Sequence, residues 1–195
     1  MMRFLGRHFG RVNIFLFVER TDKLRSDYIK AGEMQHLLAA LTPPNRLACE
    51  VSLSTGLRIS DVLNLRTDAL KPRITVRELK TGKNRRVYFP AELLDRMRAM
   101  AGKIYVFEGR NDRTKPRSRH AVYKDLKRAA VLFRMPKSLQ LSPHSLRKIY
   151  AVDAYRRTGS MEKVQELLNH SDEATTVLYA MADVMTERKG NKHGK

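Results

Sequence analysis

The chain has 195 residues, with 39 Lys and Arg against 20 Asp and Glu, and a formal net charge of +19. With 42% apolar and 30% charged residues it has a globular rather than a disordered composition, and its length suits one domain of roughly 100–200 residues. The lone Cys49 excludes an internal disulfide and a multi-cysteine zinc site, and Ile14-Phe-Leu-Phe-Val18 is too short for a membrane span of about 20 residues or a signal-peptide core of ~7–15.

These features predict a soluble, cytoplasmic protein, and a positive surplus this large predicts a polyanionic partner, most simply nucleic acid. Charge alone would suit a ribosomal-type binder equally well.

Residues 1–28 mix aromatic and basic residues without sustained periodicity and are expected to form an extension rather than a domain. Residues 29–184 are expected to form the folded domain, and 185–195 a basic flexible tail. A helix is expected from Ser26, with Tyr28, Ile29, Met34, Leu37, Leu38 and Leu41 at helical spacing and Pro43-Pro44 as its stop. A second helix is expected over 45–54, ended by Gly56, followed by a short helix capped by Ser60. The β-branched and aromatic runs 74–79 and 85–89 flank Lys80-Thr-Gly-Lys-Asn84 and predict a β-hairpin. A helix over 91–101, a short strand at 104–107, a basic loop at 110–119 and a basic amphipathic helix over 119–133 follow. Ser142-Pro143 opens another helix, as N-cap and first helical residue, and Gly159 closes it. Ser160 caps a helix to about 169, and a last helix is expected over 173–184.

Several polar residues stand out against these elements. His144 and Arg147 share one face of a helix's first turn, where free N–H groups and the helix dipole favour a phosphate. Arg58 follows the Gly56 helix break. His170 follows Leu167-Leu-Asn169 at a helix end, and Tyr179 lies nine residues further on. Taken singly, each has an ordinary reading: a solvated turn, a surface arginine, an imidazole meeting helix carbonyls, a core tyrosine with one wet end. Lys80 and Lys83 alone would be solvated turn residues.

Together they form a pattern. Thr55-Gly-Leu-Arg58-Ile-Ser-Asp-Val-Leu-Asn-Leu65, then Lys80-Thr-Gly-Lys83, His144-x-x-Arg147, Leu167-Leu-Asn-His170 and Tyr179 resemble the tyrosine recombinases (phage integrase family) in order and spacing over residues 29–184. The resemblance implies an α+β fold, mainly α-helical with a small antiparallel β-sheet, of the tyrosine recombinase and type IB topoisomerase-like catalytic domain. It implies a bacterial or phage-encoded, mobile-element enzyme that cleaves and rejoins DNA through a 3′-phosphotyrosyl bond on Tyr179, without metal, cofactor or ATP.

In that reading Arg58 and Arg147 stabilise the five-coordinate phosphorane, whose extra negative charge suits bidentate, permanently charged guanidinium forks. His144 is the base for Tyr179 or a partner of the phosphate. Lys80 protonates the leaving 5′-oxygen, with Lys83 as the competing candidate. His170 bonds the phosphate or orients Tyr179, a position where relatives often carry Trp.

Residues 71–137 hold 20 Lys and Arg against 6 Asp and Glu. Lys83, Arg85, Arg113, Lys115, Arg117, Arg119 and Lys124 are therefore expected to contact the backbone of double-stranded DNA. The family commonly adds a core-binding domain, so the resemblance leaves a missing or partner-supplied clamp as an expectation, together with assembly into a homotetramer on DNA. Two other readings keep the fold: a non-catalytic DNA-binding protein, and a type IB topoisomerase-like relaxing enzyme. A general RNA-binding protein accounts for the charge but not the spacing.

Overall fold

The computed structural model describes residues 29–168. Helix α1 spans Ala31–Ala39 and buries Met34, Leu37 and Leu38 on one stripe. Pro43 and Pro44 do not merely stop it: they open α2, Pro43–Thr55, because the first helical positions have no intrahelical use for an N–H. Gly56 ends α2 in the left-handed conformation at φ 67°, as the sequence predicts. Helix α3 is short, Ile59–Leu63, and its N-cap is Arg58 rather than Ser60, which lies inside the first turn.

Strands β1, Arg73–Arg77, and β2, Asn84–Tyr88, form the expected antiparallel hairpin, with Val76 opposite Arg85 and Ile74 opposite Val87. Helix α4, Ala91–Met100, follows Pro90. The strand expected at 104–107 is not formed. Tyr105 makes only an isolated bridge to Arg66, and Glu108 another to Pro116, so no ladder propagates.

Helix α5, Arg119–Leu132, is capped by the Ser118 hydroxyl, which accepts from the Ala121 N–H at 3.1 Å. Helix α6, Pro143–Thr158, is capped by Ser142 and closed by Gly159 at φ 66°. Helix α7, Met161–Leu168, has the Ser160 hydroxyl accepting from the Lys163 N–H at 3.2 Å. The last predicted helix, with His170 and Tyr179, lies outside the described residues.

Helix α6 is the centre of the molecule. It buries residues on nearly every side, including Leu146, Ile149, Ala151 and Val152, and packs on α2, α5 and α7. The main core gathers Leu57, Leu63, Phe89, Met97, Phe107, Leu126 and Leu146, while Tyr150, Ala151, Ala154, Val164 and Leu168 form a smaller cluster that seats α7. Burial of this kind contributes about 25 cal/mol per Å² of apolar surface. Among the described residues, no helix is long and apolar enough to cross a membrane.

Candidate active site

The turn Thr55-Gly56-Leu57 sets the first part of the site. Its left-handed glycine reverses the chain out of α2 and delivers Arg58 to the start of α3. The Arg58 side chain is buried, and its Nη1 donates to Oε2 of Glu78 at 2.8 Å. Arg147 lies at the second turn of α6, and its guanidinium reaches two helix ends. Its Nη1 donates to the Gly56 carbonyl and its Nη2 to the Leu168 carbonyl, both at 2.5 Å. Carbonyls at helix C-termini lack intrahelical partners and carry the negative end of the dipole, so they hold a cation well.

Lys80 stands exposed in the hairpin turn, and His144 stands exposed in the first turn of α6. Arg58, Lys80 and the α6 pair His144 and Arg147 come from three separate places in the chain. They line a single cleft of about 620 Å³. Lys83 is exposed on the same turn but does not line the cleft. His170 and Tyr179 lie outside the described residues.

Beneath the cleft is a layer of buried charge. Glu78 is fully buried. Burial pushes its carboxyl pKa up, but the Thr81 hydroxyl and the Arg58 guanidinium, with Arg147 nearby, outweigh this and hold it below the usual range. Asp61 is also buried, and that burial raises its pKa; its Oδ1 accepts from the Leu79 N–H at 2.9 Å.

Arg85 requires a correction. It was expected on the DNA backbone, yet it is buried with Nη2 on the Thr55 carbonyl at 2.7 Å and Nη1 on the Gly56 carbonyl at 3.1 Å. Its guanidinium also lies 5.9 Å from the Tyr150 ring centroid and 3.6 Å from Glu78 Oε1. Its place on the inner face of β2 is the reason: Arg85, Val87 and Phe89 alternate inward.

The other predicted contacts are spread over the hairpin turn, the 110–118 loop and α5. Arg119 lines the cleft and is exposed, as are Arg113, Lys115 and Lys124, while Lys115 pairs with Asp112 at 3.1 Å. Arg117 is half-buried, and its Nε donates to Asn45. A second groove of about 680 Å³, lined by Arg110, Lys115, Arg117, Lys124 and Arg128, shares His120 with the first. Sequence reasoning missed His120 and Tyr123, which line the cleft with rings stacked 6.2 Å apart, and also Glu78 and Thr81. Among the described residues, no three His, Cys, Asp or Glu side chains group as a metal site.

The profile of the phage integrase family matches residues 27–185. The chain belongs to the phage integrase family. A tyrosine recombinase of Thermosipho africanus is 30% identical over 164 residues, 78% of this chain and 56% of that protein. The tyrosine recombinase XerA of Thermococcus kodakarensis is 29% identical, over 84% of this chain and 61% of its own length. A probable integrase/recombinase, YoeC, of Bacillus subtilis is 30% identical, over 72% of this chain and 78% of that protein. The chain thus spans little more than half the length of the first two relatives.

Among solved structures, a lambda integrase (residues 75–356) dimer bound to a COC′ core site superposes with a TM-score of 0.68 at 21% identity, over 81% of this chain and 60% of that one. The catalytic domain of bacteriophage HP1 integrase superposes at 0.56 and 24% identity, over 80% of this chain and 88% of that one. This phage integrase family member therefore has the predicted fold, mainly helical with a small antiparallel sheet.

Proposed function

We propose that the protein is a site-specific DNA recombinase that cleaves and rejoins strands through a 3′-phosphotyrosyl intermediate on Tyr179. The observation that carries this reading is the convergence of Arg58, Lys80, His144 and Arg147 on one cleft in a phage integrase family chain. The phenolic oxygen of Tyr179 attacks the scissile phosphorus. A P–O bond to tyrosine forms, and the bond from phosphorus to the 5′-oxygen breaks.

Tyrosine has an unperturbed pKa of ~10 and needs a base, a role His144 fills. Lys80 gives its proton to the departing 5′-oxygen. Arg58 and Arg147 offset the charge that grows on the phosphoryl oxygens, an electrostatic role that needs fixed donors in a water-poor site. Because the phosphotyrosyl ester keeps the energy of the original bond, another 5′-hydroxyl can attack it and reseal the strand without ATP. The exposed Arg113, Lys115, Arg119 and Lys124 hold the flanking duplex.

Assembly as a homotetramer on double-stranded DNA belongs to the same proposal. It is supported by a similar structure, a lambda integrase tetramer bound to a Holliday junction, with a TM-score of 0.64. A nicked suicide duplex tests the reading. Wild type forms a detergent-resistant protein–DNA adduct and Tyr179→Phe forms none; an adduct that survives Tyr179→Phe overturns it.

A further inference from the structure

Lys80 projects from a turn exposed to solvent, and a lysine stem has four rotatable bonds. Its aim therefore depends on how firmly its backbone is held. Glu78 N–H donates to the Lys83 carbonyl at 2.9 Å and Gly82 N–H to the Glu78 carbonyl at 2.8 Å, closing a four-residue loop over 79–82. Gly82 takes the left-handed φ of 66° that this closure requires.

Two buried carboxylates fasten that loop below: Asp61 Oδ1 accepts from the Leu79 N–H at 2.9 Å, before Lys80, and Glu78 holds Thr81, after it. Oε2 of the buried Glu78 accepts from Arg58 Nη1 and from the Thr81 hydroxyl, both at 2.8 Å. The same Thr81 oxygen accepts from the Lys83 N–H at 3.3 Å, so the hydroxyl both gives and takes a bond. A single carboxylate oxygen thus joins the guanidinium on the phosphate side of the cleft to the residue that follows Lys80.

We infer that Thr81 and Glu78 are positioning residues: their bond to each other and to Arg58 fixes the distance between the phosphate-binding arginine and the lysine that protonates the leaving group. The inference rests on the cleavage reading above and deepens it. A different role for this carboxylate would be charge balance alone, holding Arg58 and Arg85 in place. The two roles differ in which step they touch. Charge balance acts on phosphate binding, whatever the leaving atom. The Thr81 link acts on proton delivery to the 5′-oxygen.

The test uses two suicide duplexes, one normal and one with sulfur replacing the bridging 5′-oxygen at the scissile phosphate. A thiol has a pKa of ~8.5, so the sulfur departs as thiolate without a proton donor. Thr81→Val removes the hydroxyl from a half-exposed turn and leaves the core intact. Its adduct formation should fall about 10- to 100-fold on the oxygen substrate and return to within a few-fold of wild type on the sulfur substrate. Thr81→Ser, which keeps the donor, should recover most of the rate on oxygen.

Thr81→Val cleaving the oxygen substrate like wild type overturns the inference. Equal slowing on both substrates also overturns it, in favour of charge balance. Failure of the cleavage reading looks different: wild type then forms no Tyr179 adduct with either substrate, and the inference falls with it.

Discussion

Gly56→Ala should damage this protein more than its size suggests, and the structure gives the components. Gly56 has φ 67°, and the left-handed region costs an L-residue about 1–2 kcal/mol. An added Cβ would also lie 2.4 Å from Cδ1 and Cε1 of Tyr150 and 2.9 Å from Cγ, where carbon atoms normally rest ~3.5–4.0 Å apart. The ring is buried in the cluster that seats α7, and Arg85 lies over it, so it has little room to retreat. Overpacking of this kind costs about 1–3 kcal/mol, giving roughly 2–5 kcal/mol in all.

Gly159 supplies the internal control. Its φ is 66°, but nothing lies within 4 Å of its added Cβ, so Gly159→Ala carries only the backbone cost of about 1–2 kcal/mol. In urea, where a small domain has a slope of about 1–3 kcal/mol per molar, Gly56→Ala should lower the midpoint by at least about 0.7 M, and by clearly more than Gly159→Ala. Equal midpoints for the two variants would refute the argument, because they would show that the Tyr150 ring yields at no cost. Adduct formation should also fall in Gly56→Ala below its melting temperature, since the Gly56 carbonyl holds both Arg85 and Arg147.

Asp125 should give the fold an acid-sensitive step. Burial works against its ionisation, but bonds from Asn45, Arg128 and Thr42 outweigh it and bring its pKa from the ordinary 3.8 to about 2. A depressed pKa stabilises the fold fully above the ordinary value, and that contribution is lost as pH falls from about 4 through about 2. The loss amounts to about 2 kcal/mol. Urea midpoints at pH 4.5 and 2.5 should therefore converge between wild type and Asp125→Asn, and a constant gap would count against the assignment. Lys80→Ala should slow cleavage of a normal duplex by about 10²- to 10⁴-fold, whereas Lys83→Ala, outside the cleft, should stay within a few-fold. Reversed effects in single-turnover adduct assays would exchange their roles.

The helix boundaries that carry local signals were legible. Gly56, Ser142, Gly159 and Ser160 act through their own backbone or hydroxyl, so a short window suffices. The errors fell where a signal has two uses. Pro43-Pro44 reads as a stop from one side and as a start from the other. Ser60 stands two residues after Arg58, whose backbone already serves as the N-cap. Residues 104–107 have strand composition but find no ladder to join. The convergence of Arg58, Lys80, His144 and Arg147 followed from the family pattern rather than from any local rule, because tertiary packing alone brings three distant segments to one cleft.

The supporting layer was readable by a rule that went unapplied. Strand alternation and register put Ile74, Val76 and Glu78 on the same inner face as Arg85, Val87 and Phe89, so a glutamate and an arginine stand among apolar residues. A charged residue at such a position needs a buried partner, and here the two serve each other and Arg58. The charge balance of this layer then bears on function. Three buried guanidiniums, Arg58, Arg85 and Arg147, face two buried carboxylates, Glu78 and Asp61. In the proposed cleavage Lys80, which lines the same cleft, supplies the proton to the departing 5′-oxygen while Arg58 and Arg147 meet the charge that develops at phosphorus. The +19 surplus is thus not one undivided surface for DNA: part of it is buried and paired with a carboxylate beneath the cleft.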